Sequence, residues 1–405
     1  MKENQTSNYA WWLTGLSLIM LLSHLAVFPV NIMEARNFIT AREMAQDGNW
    51  IMTTLNGVPR YEKPPLPTWL TALSGEAFGF GSLFAMRLPV ALITLLLVLT
   101  SYFFSKRIGL PAKQSFHNAL TMLTSFYIYF AGRDNQWDMY CHSFMLVSIY
   151  FLWNFFKKEG NSWTQVWWAG VFMGFSILSK GPISLYTLFL PFLIAYGIVY
   201  RFSLKKWKKE LWQVLFIIII SLVIGVTWFI YVRYADPASF NEVTQREVTR
   251  WASYNTRPIY YYWGFFLQTG IWALPTLAAL LYPYMKKRVS NLKAYRFTLI
   301  WAIGSVVLLS IVPEKKNPLS VARAHSLGTE YRLLHRIFTA KILSNIKQQG
   351  KMVCIYFLWH LSCCGDCFSR CTVLCHQEHA AGIGRMARAV VCHIVCAGST
   401  NIDRT

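Results

Sequence analysis

Nine apolar runs, each long enough to cross a bilayer, follow one another along the first three quarters of the chain. They restrict the fold more than any other feature. They fall near 10–30, 85–105, 115–132, 138–157, 163–179, 181–201, 211–233, 260–284 and 295–312. One such run is as compatible with a buried soluble helix as with a span, but nine in succession leave too little polar surface for a soluble protein. Of the 405 residues, 55% are hydrophobic and only 14% are charged, the balance of a polytopic membrane protein. The expected fold class is therefore an all-α bundle of about nine transmembrane helices. Its first run, Trp11 to Val30, is about as long as a bilayer span requires and is expected to be one, with no cleavable signal evident.

The formal net charge of +21 raises the question of nucleic acid. The basic residues, however, stand in short clusters between apolar runs, which excludes a continuous basic groove and fits cytoplasmic loops. With the N-terminus inside, Lys106-Arg107, Lys157-Lys158, Arg201 with Lys205 to Lys209, and Lys286-Lys287-Arg288 all fall on the cytoplasmic face. The Met33 to Leu66 stretch, the turn Arg133 to Asp138, Lys180, the stretch Tyr234 to Pro258 and Glu314-Lys315-Lys316 fall on the other. These outer segments mix acids with bases, the composition of a site more than of a topology signal.

The first outer loop, residues 31–84, is the one polar passage long enough to hold such a site. Glu34 to Gln46 has helical composition, and Asn56-Gly57 reads as a turn. Pro64-Pro65 stiffens a strap from Arg60 onward, and Pro67 to Phe80 suits a helix lying along the membrane surface. Two interfacial helices joined by the strap are expected here.

Glu34 and Asp138 are the leading carboxylates. Each stands where a span meets the outer face, and an ionisable group at that level is costly enough to suggest a function. The bland alternative for both is a helix cap. Arg60, Lys63, Arg133, Lys180 and Lys315 are outer-face cations suited to a lipid phosphate, or else to snorkelling toward headgroups. Lys180 stands apart, because the tight turn Ser179-Lys180-Gly181-Pro182 limits its reach and calls for a fixed partner. The aromatic block Tyr254 to Trp263 reads as an interfacial belt, with a sugar-stacking surface as the sharper alternative.

Several of these pieces resemble, in order, the polyprenyl-phosphate-sugar glycosyltransferases. The series runs Met33-Glu34-Ala35-Arg36-Asn37-Phe38, Arg42-Glu43-Met44, Gly48-Asn49-Trp50, Leu55-Asn56-Gly57, Tyr61-Glu62-Lys63-Pro64-Pro65-Leu66 and Arg87-Leu88-Pro89. It continues through Asp138, Ser179 to Pro182, Arg257-Pro258 and Pro313 to Lys316, covering roughly residues 10 to 317. The likeness is greatest to the lipid A aminoarabinose transferase branch, whose relatives include the protein O-mannosyltransferases.

The resemblance implies a GT-C fold in the bacterial inner membrane, with a periplasmic active face. It implies an inverting transferase that moves a sugar from a polyprenyl-phosphate donor to a lipid A, glycan or protein acceptor. By position, Lys63 matches the donor-phosphate cation and Asp138 the second outer-loop acid; Glu34 is expected to complete the catalytic pair, and Arg60, Tyr61, Arg133, Lys180 and Lys315 to contact the donor. Glu62 matches a residue that approaches a divalent metal in the lipid A branch, the one cofactor implied. The chain departs from the pattern at Met33, where the family usually has Asp; Glu34 is expected to supply that function from the adjacent position.

After Asn317 the pattern stops. Codons exist for the next ten residues, Pro318 to Leu327, that one base later encode the missing continuation. Residues 318–405 are therefore expected to be an out-of-frame tail without a native fold. Eight of the nine cysteines, all but Cys141, lie there, but Cys363, Cys364, Cys367, Cys371 and Cys375 lack the paired spacing of a zinc site. Two other function classes remain open, an inactive remnant of such an enzyme and a lipid or solute transporter. Charge gathered at one surface and the absence of an internal repeat count against the transporter.

Overall fold

A computed structural model describes residues 2–158, 162–202, 204–253 and 258–311. The elements are α1 (Lys2–Leu22), α2 (Ile32–Gln46), a hairpin of β1 (Thr54–Leu55) and β2 (Val58–Pro59), α3 (Leu66–Phe78), α4 (Leu83–Arg107), α5 (Ala112–Leu123), α6 (Phe126–Ala131), α7 (Trp137–Lys157) and α8 (Ser162–Lys180). A π-turn, Leu185–Phe189, leads into α9 (Leu190–Tyr200). There follow α10 (Leu204–Ala235), α11 (Pro237–Ser253), a 3-10 segment Ile259–Trp272, α12 (Ala273–Leu280), α13 (Tyr282–Met285) and α14 (Leu292–Ile311).

The all-α class expected from the sequence is the one observed; the count of nine spans is not confirmed among the described residues. Among the described residues, four helices are long and apolar enough to cross a membrane: Leu83–Arg107, Trp137–Lys157, Glu210–Ala235 and Leu292–Ile311. A fifth is counted if Ile259–Leu267 and Thr269–Leu280, bent by 75°, are one broken span. Gly270 makes that bend with φ +62, a conformation open to glycine and costly for other residues. The run 115–132 is split because Ser125 caps a new helix, accepting from the Ile128 amide, while the Thr124 hydroxyl turns back to Leu120 O. Polar side chains of this kind interrupt a helix without lowering mean hydropathy much, so an apolar run need not be one continuous helix.

In the first outer loop the two expected helices are present as α2 and α3. The hairpin joins them, with Thr54 opposite Pro59 and Leu55 opposite Val58. Glu43 of α2 holds the hairpin by accepting from Thr54 Oγ1 at 2.6 Å, Asn56 N at 2.6 Å and Gly57 N at 3.4 Å. Asn56 and Gly57 both have positive φ, as a two-residue turn requires.

The core lies where α7 packs between α4 and α8, with α10 on the far side of α8. Close approach of α8 and α10 depends on small residues: a Cβ at Gly174 would meet Ile224 at 2.6 Å, and one at Gly225 would meet Ile177 at 2.6 Å. The outward face of α10, with Ile218, Ile219, Leu222 and Val223, is exposed, a surface that only lipid or another apolar partner would cover. At one end of the bundle Phe104, Trp153, Phe192, Phe297 and Trp301 form an edge-to-face cluster. Lys157 and Lys293 lie over Tyr200 nearby. This is the basic end; the mixed-charge loops gather at the other.

Candidate active site

The N-terminal end of α2 sets the site's foundation. Asn31 caps it, its Oδ1 accepting from the amides of Met33 and Glu34, both at 2.9 Å. This turns Glu34 inward, where it is 1% exposed and meets Arg87 of α4 in a two-pronged ion pair. Arg87 Nε reaches Glu34 Oε1 at 2.7 Å and Nη2 reaches Oε2 at 2.7 Å. The remaining Arg87 donors go to the carbonyls of Leu25 and Phe28, at 2.9 and 2.7 Å. Glu34 Oε1 also accepts the backbone amide of Asn135 at 3.2 Å. Glu34 is therefore committed to a direct cation partner inside the protein, where the pair anchors α2 to α4.

Asn135 is tied in at every polar atom. Its Nδ2 donates to Thr71 Oγ1 at 2.8 Å and to Met86 O at 2.6 Å. Its Oδ1 accepts from Tyr140 Oη at 2.8 Å, and its carbonyl accepts from Asn37 Nδ2 at 3.3 Å. Buried groups so fully satisfied hold a single geometry. The turn from Arg133 to Gln136 is thereby locked against α2, α3 and α4, and the start of α7 is placed with it.

Asp138 stands in the first turn of α7 and pairs with Lys180 at the end of α8; the side chains are 18% and 10% exposed. The tight turn at Lys180 follows from Gly181, whose φ is +80. Lys180 thus has the fixed partner that its surroundings call for.

The strap crosses close by. The Arg60 guanidinium lies 4.9 Å from the ring centre of Trp137, the first residue of α7, and Nη1 donates to Arg36 O at 3.0 Å and Thr40 Oγ1 at 2.9 Å. Burial lowers its pKa to about 10. Arg60 therefore fastens the strap to α2 and α7, with its charge turned inward. Tyr61 Oη donates to Asp236 Oδ2 at 3.1 Å, and burial, then that bond, push its pKa up to about 12. The Tyr61 ring also stands edge-on to Trp228, tying the strap to the corner between α10 and α11. Lys63, half-buried, follows these two fastenings in the same strap.

Arg133 is elsewhere. It is 3% exposed, donates to the carbonyls of Met20 and Ser23, and lies 4.2 Å from the ring centre of Tyr129. It closes the C-terminal end of α1 and is spent on that task. Lys315 and the residues Tyr254 to Arg257 lie outside the described residues, as does the tail, 318–405. Within the aromatic block, Tyr262 is buried in the main core while Tyr260 and Trp263 are exposed.

The metal expectation rests on Glu62, which lies 3.8 Å from Arg60. Among the described residues no group of three or more His, Cys, Asp or Glu side chains could hold a metal ion. The described residues do not fit a bound divalent ion, and no chemical step is assigned to one.

Sequence reasoning missed Arg87, Asn135 and Asp134. Arg87 had a signal, since an arginine at the head of an apolar span needs a partner. Asp134 had none. Its Oδ1 accepts from Asn31 Nδ2 at 2.6 Å and its Oδ2 from Gln136 Nε2. Burial, then the negative charge of Glu34, raise its pKa well above the ordinary carboxylate range. Such a group binds a proton more tightly folded than unfolded, so its contribution to stability is full below its unfolded pKa near 3.8 and is lost as pH rises toward 7. Thermal unfolding in detergent is accordingly expected to show stability falling from pH 4.5 to 7.5, with Asp134→Asn flattening the slope. Identical slopes in both proteins would show that Asp134 titrates normally.

A multi-helix membrane body with a charged site built from its first and second outer loops is the GT-C arrangement. The model of the dolichyl-phosphate-mannose-protein mannosyltransferase family matches residues 62–231. Undecaprenyl phosphate-alpha-4-amino-4-deoxy-L-arabinose arabinosyl transferases are similar. That of Pseudomonas savastanoi pv. phaseolicola is 26% identical over 290 residues, 69% of this chain and 52% of the relative. That of Shewanella sediminis is 25% identical over 301 residues, 70% of this chain and 51% of the relative. Among solved structures, ArnT from Cupriavidus metallidurans in the apo state superposes with a TM-score of 0.65 at 21% identity, over 89% of this chain and 59% of that one. Its undecaprenyl phosphate-bound form gives 0.64 at 22%, over 89% and 60%. The chain thus has the fold of ArnT and is similar in sequence to glycosyltransferases of the arabinosyl transferase and protein mannosyltransferase type. It spans about half the length of the curated arabinosyl transferases it matches.

Proposed function

We propose that this protein transfers a sugar from a polyprenyl-phosphate donor, with inversion, to an acceptor on lipid A, another glycan or a protein. The reaction takes place at the periplasmic face of the inner membrane. The observation that carries the reading is the Asp138–Lys180 pair, held beside the Arg60-to-Leu66 strap through the stacking of Arg60 on Trp137. That arrangement supports a reading in which Lys63, Lys180 and one acid meet the lipid headgroup. The arabinosyl transferase relatives are named for an undecaprenyl-phosphate donor, which supports the choice of donor class.

In this reading Lys63 and Lys180 neutralise the donor phosphate, making it a competent leaving group where water is scarce. Asp138 keeps Lys180 aimed at that phosphate and faces the positive charge that develops on the sugar. Arg60, Arg133, Glu34 and Arg87 hold the two loops in register, so that donor and acceptor meet without a search. Tyr61 closes the strap against Asp236.

The test is direct. The purified 405-residue chain in lipid nanodiscs is given undecaprenyl phosphate-linked 4-amino-4-deoxy-arabinose with lipid A. In parallel it is given polyprenyl-phosphate hexoses with lipid A or a Ser/Thr peptide. Release of polyprenyl phosphate together with a mass gain on one acceptor is expected. Failure to bind undecaprenyl phosphate and to release it from every donor would end the proposal.

A further inference from the structure

The acids at the polar end of the bundle fall into two kinds. Glu34 is committed to Arg87 and Asp138 to Lys180; Glu43 is taken up by the hairpin, and Glu62 lies beside Arg60. Asp134, like Glu43 and Asp236, accepts from neutral donors, but of these three it is the one in the turn that leads into Asp138. The hydrogen bonds it accepts come from two neutral amides, Asn31 Nδ2 and Gln136 Nε2, and it is half-buried in the turn directly before Asp138. A carboxylate held only by neutral donors keeps a basic lone pair, whereas a direct cation partner would draw its charge away. The charged groups facing it are Glu34 from α2 and Arg87 from α4, and these two are bonded to each other. Burial raises its proton affinity, in the direction a base for neutral pH needs.

On the transferase reading above, we propose that Asp134 is the base that removes the acceptor's proton, and that Asp138, tied to Lys180, serves the donor side. The acceptor is then a group carrying an O–H, an alcohol or a monoprotonated phosphate. Its oxygen bonds to the anomeric carbon as the bond from that carbon to the polyprenyl phosphate oxygen breaks, and the electron pair leaves with the phosphate. The acceptor's proton passes to the Asp134 carboxylate and from there to water when the product departs.

The experiment compares the full chain with Asp134→Asn and Asp134→Ala in nanodiscs, using undecaprenyl phosphate-linked 4-amino-4-deoxy-arabinose as donor. Two acceptors are run, lipid A and lipid A stripped of its phosphates; whichever takes the sugar tells whether the O–H belongs to a phosphate or a hydroxyl. Both variants are expected to lose about 100-fold in kcat while still being stabilised by undecaprenyl phosphate in a thermal shift. Added formate should recover part of the activity of Asp134→Ala, and the acid limb of the wild-type pH–rate profile should disappear in Asp134→Asn. Wild-type turnover with an unchanged pH profile in Asp134→Asn would overturn this assignment and leave the transferase reading standing. If the wild-type chain neither binds undecaprenyl phosphate nor releases it from donor, both fall together.

Discussion

Replacing Arg87 with Ala is expected to remove the folded protein from detergent extracts. The substitution strands a carboxylate that is 1% exposed and deprives the Leu25 and Phe28 carbonyls of their donor. Breaking one side of a buried ion pair costs about 3–5 kcal/mol, a large share of what a domain has to spare. Replacing both partners with uncharged groups costs far less, because no charge is left alone in the interior. Arg87→Met combined with Glu34→Gln should therefore recover much of the monodisperse peak that Arg87→Ala loses in fluorescence-detected size exclusion. A single variant as stable as the parent, or a double variant as damaged as the single, would show that this pair does not hold the first loop in place.

The second large effect concerns chemistry and not folding. Asp138→Asn is expected to lower kcat about 100-fold or more, the usual consequence of removing a group that stabilises developing charge. The start of α7 should survive, because Asn135 and the Arg60–Trp137 contact fix it independently. Lys180→Ala should act mainly on donor affinity, since its ammonium would neutralise the phosphate. The two effects should not add: with Asp138 gone, Lys180 is no longer aimed, so the double variant should be little worse than Asp138→Asn alone. Unchanged turnover in Asp138→Asn would remove Asp138 from the site, and strict additivity would show that the pair does not act as a unit.

These two pairs show how acids at matching places in the sequence can end in different surroundings. Glu34 and Asp138 look alike in the chain, each an acid where a span meets the outer face. The difference lies in what is packed opposite. Glu34 faces Arg87, 53 positions away, inside the protein; Asp138 faces Lys180, 42 positions away, at its partly open edge. Arg60 and Arg133 were likewise expected at a phosphate, yet each is turned inward to carbonyls and aromatic rings. A long cation near a membrane surface satisfies either description until its neighbours are known.

The sequence alone determined the class of the molecule. Successive apolar runs require helices in lipid, because backbone groups there must be satisfied within the segment. Asn31 before Ile32, Asn56-Gly57 and Gly181 mark a helix start, a hairpin turn and a helix end through local backbone chemistry that needs no distant partner. The tertiary structure decided which of the charged groups are paired deep in the interior and which stand at its partly open edge. That choice depends on pairings across the bundle, Glu34 with Arg87, Asp134 with Asn31 and Tyr61 with Asp236. Such pairings join residues up to 175 positions apart, and the energy of a buried charge is set by what lies within a few ångströms, wherever in the chain that neighbour comes from.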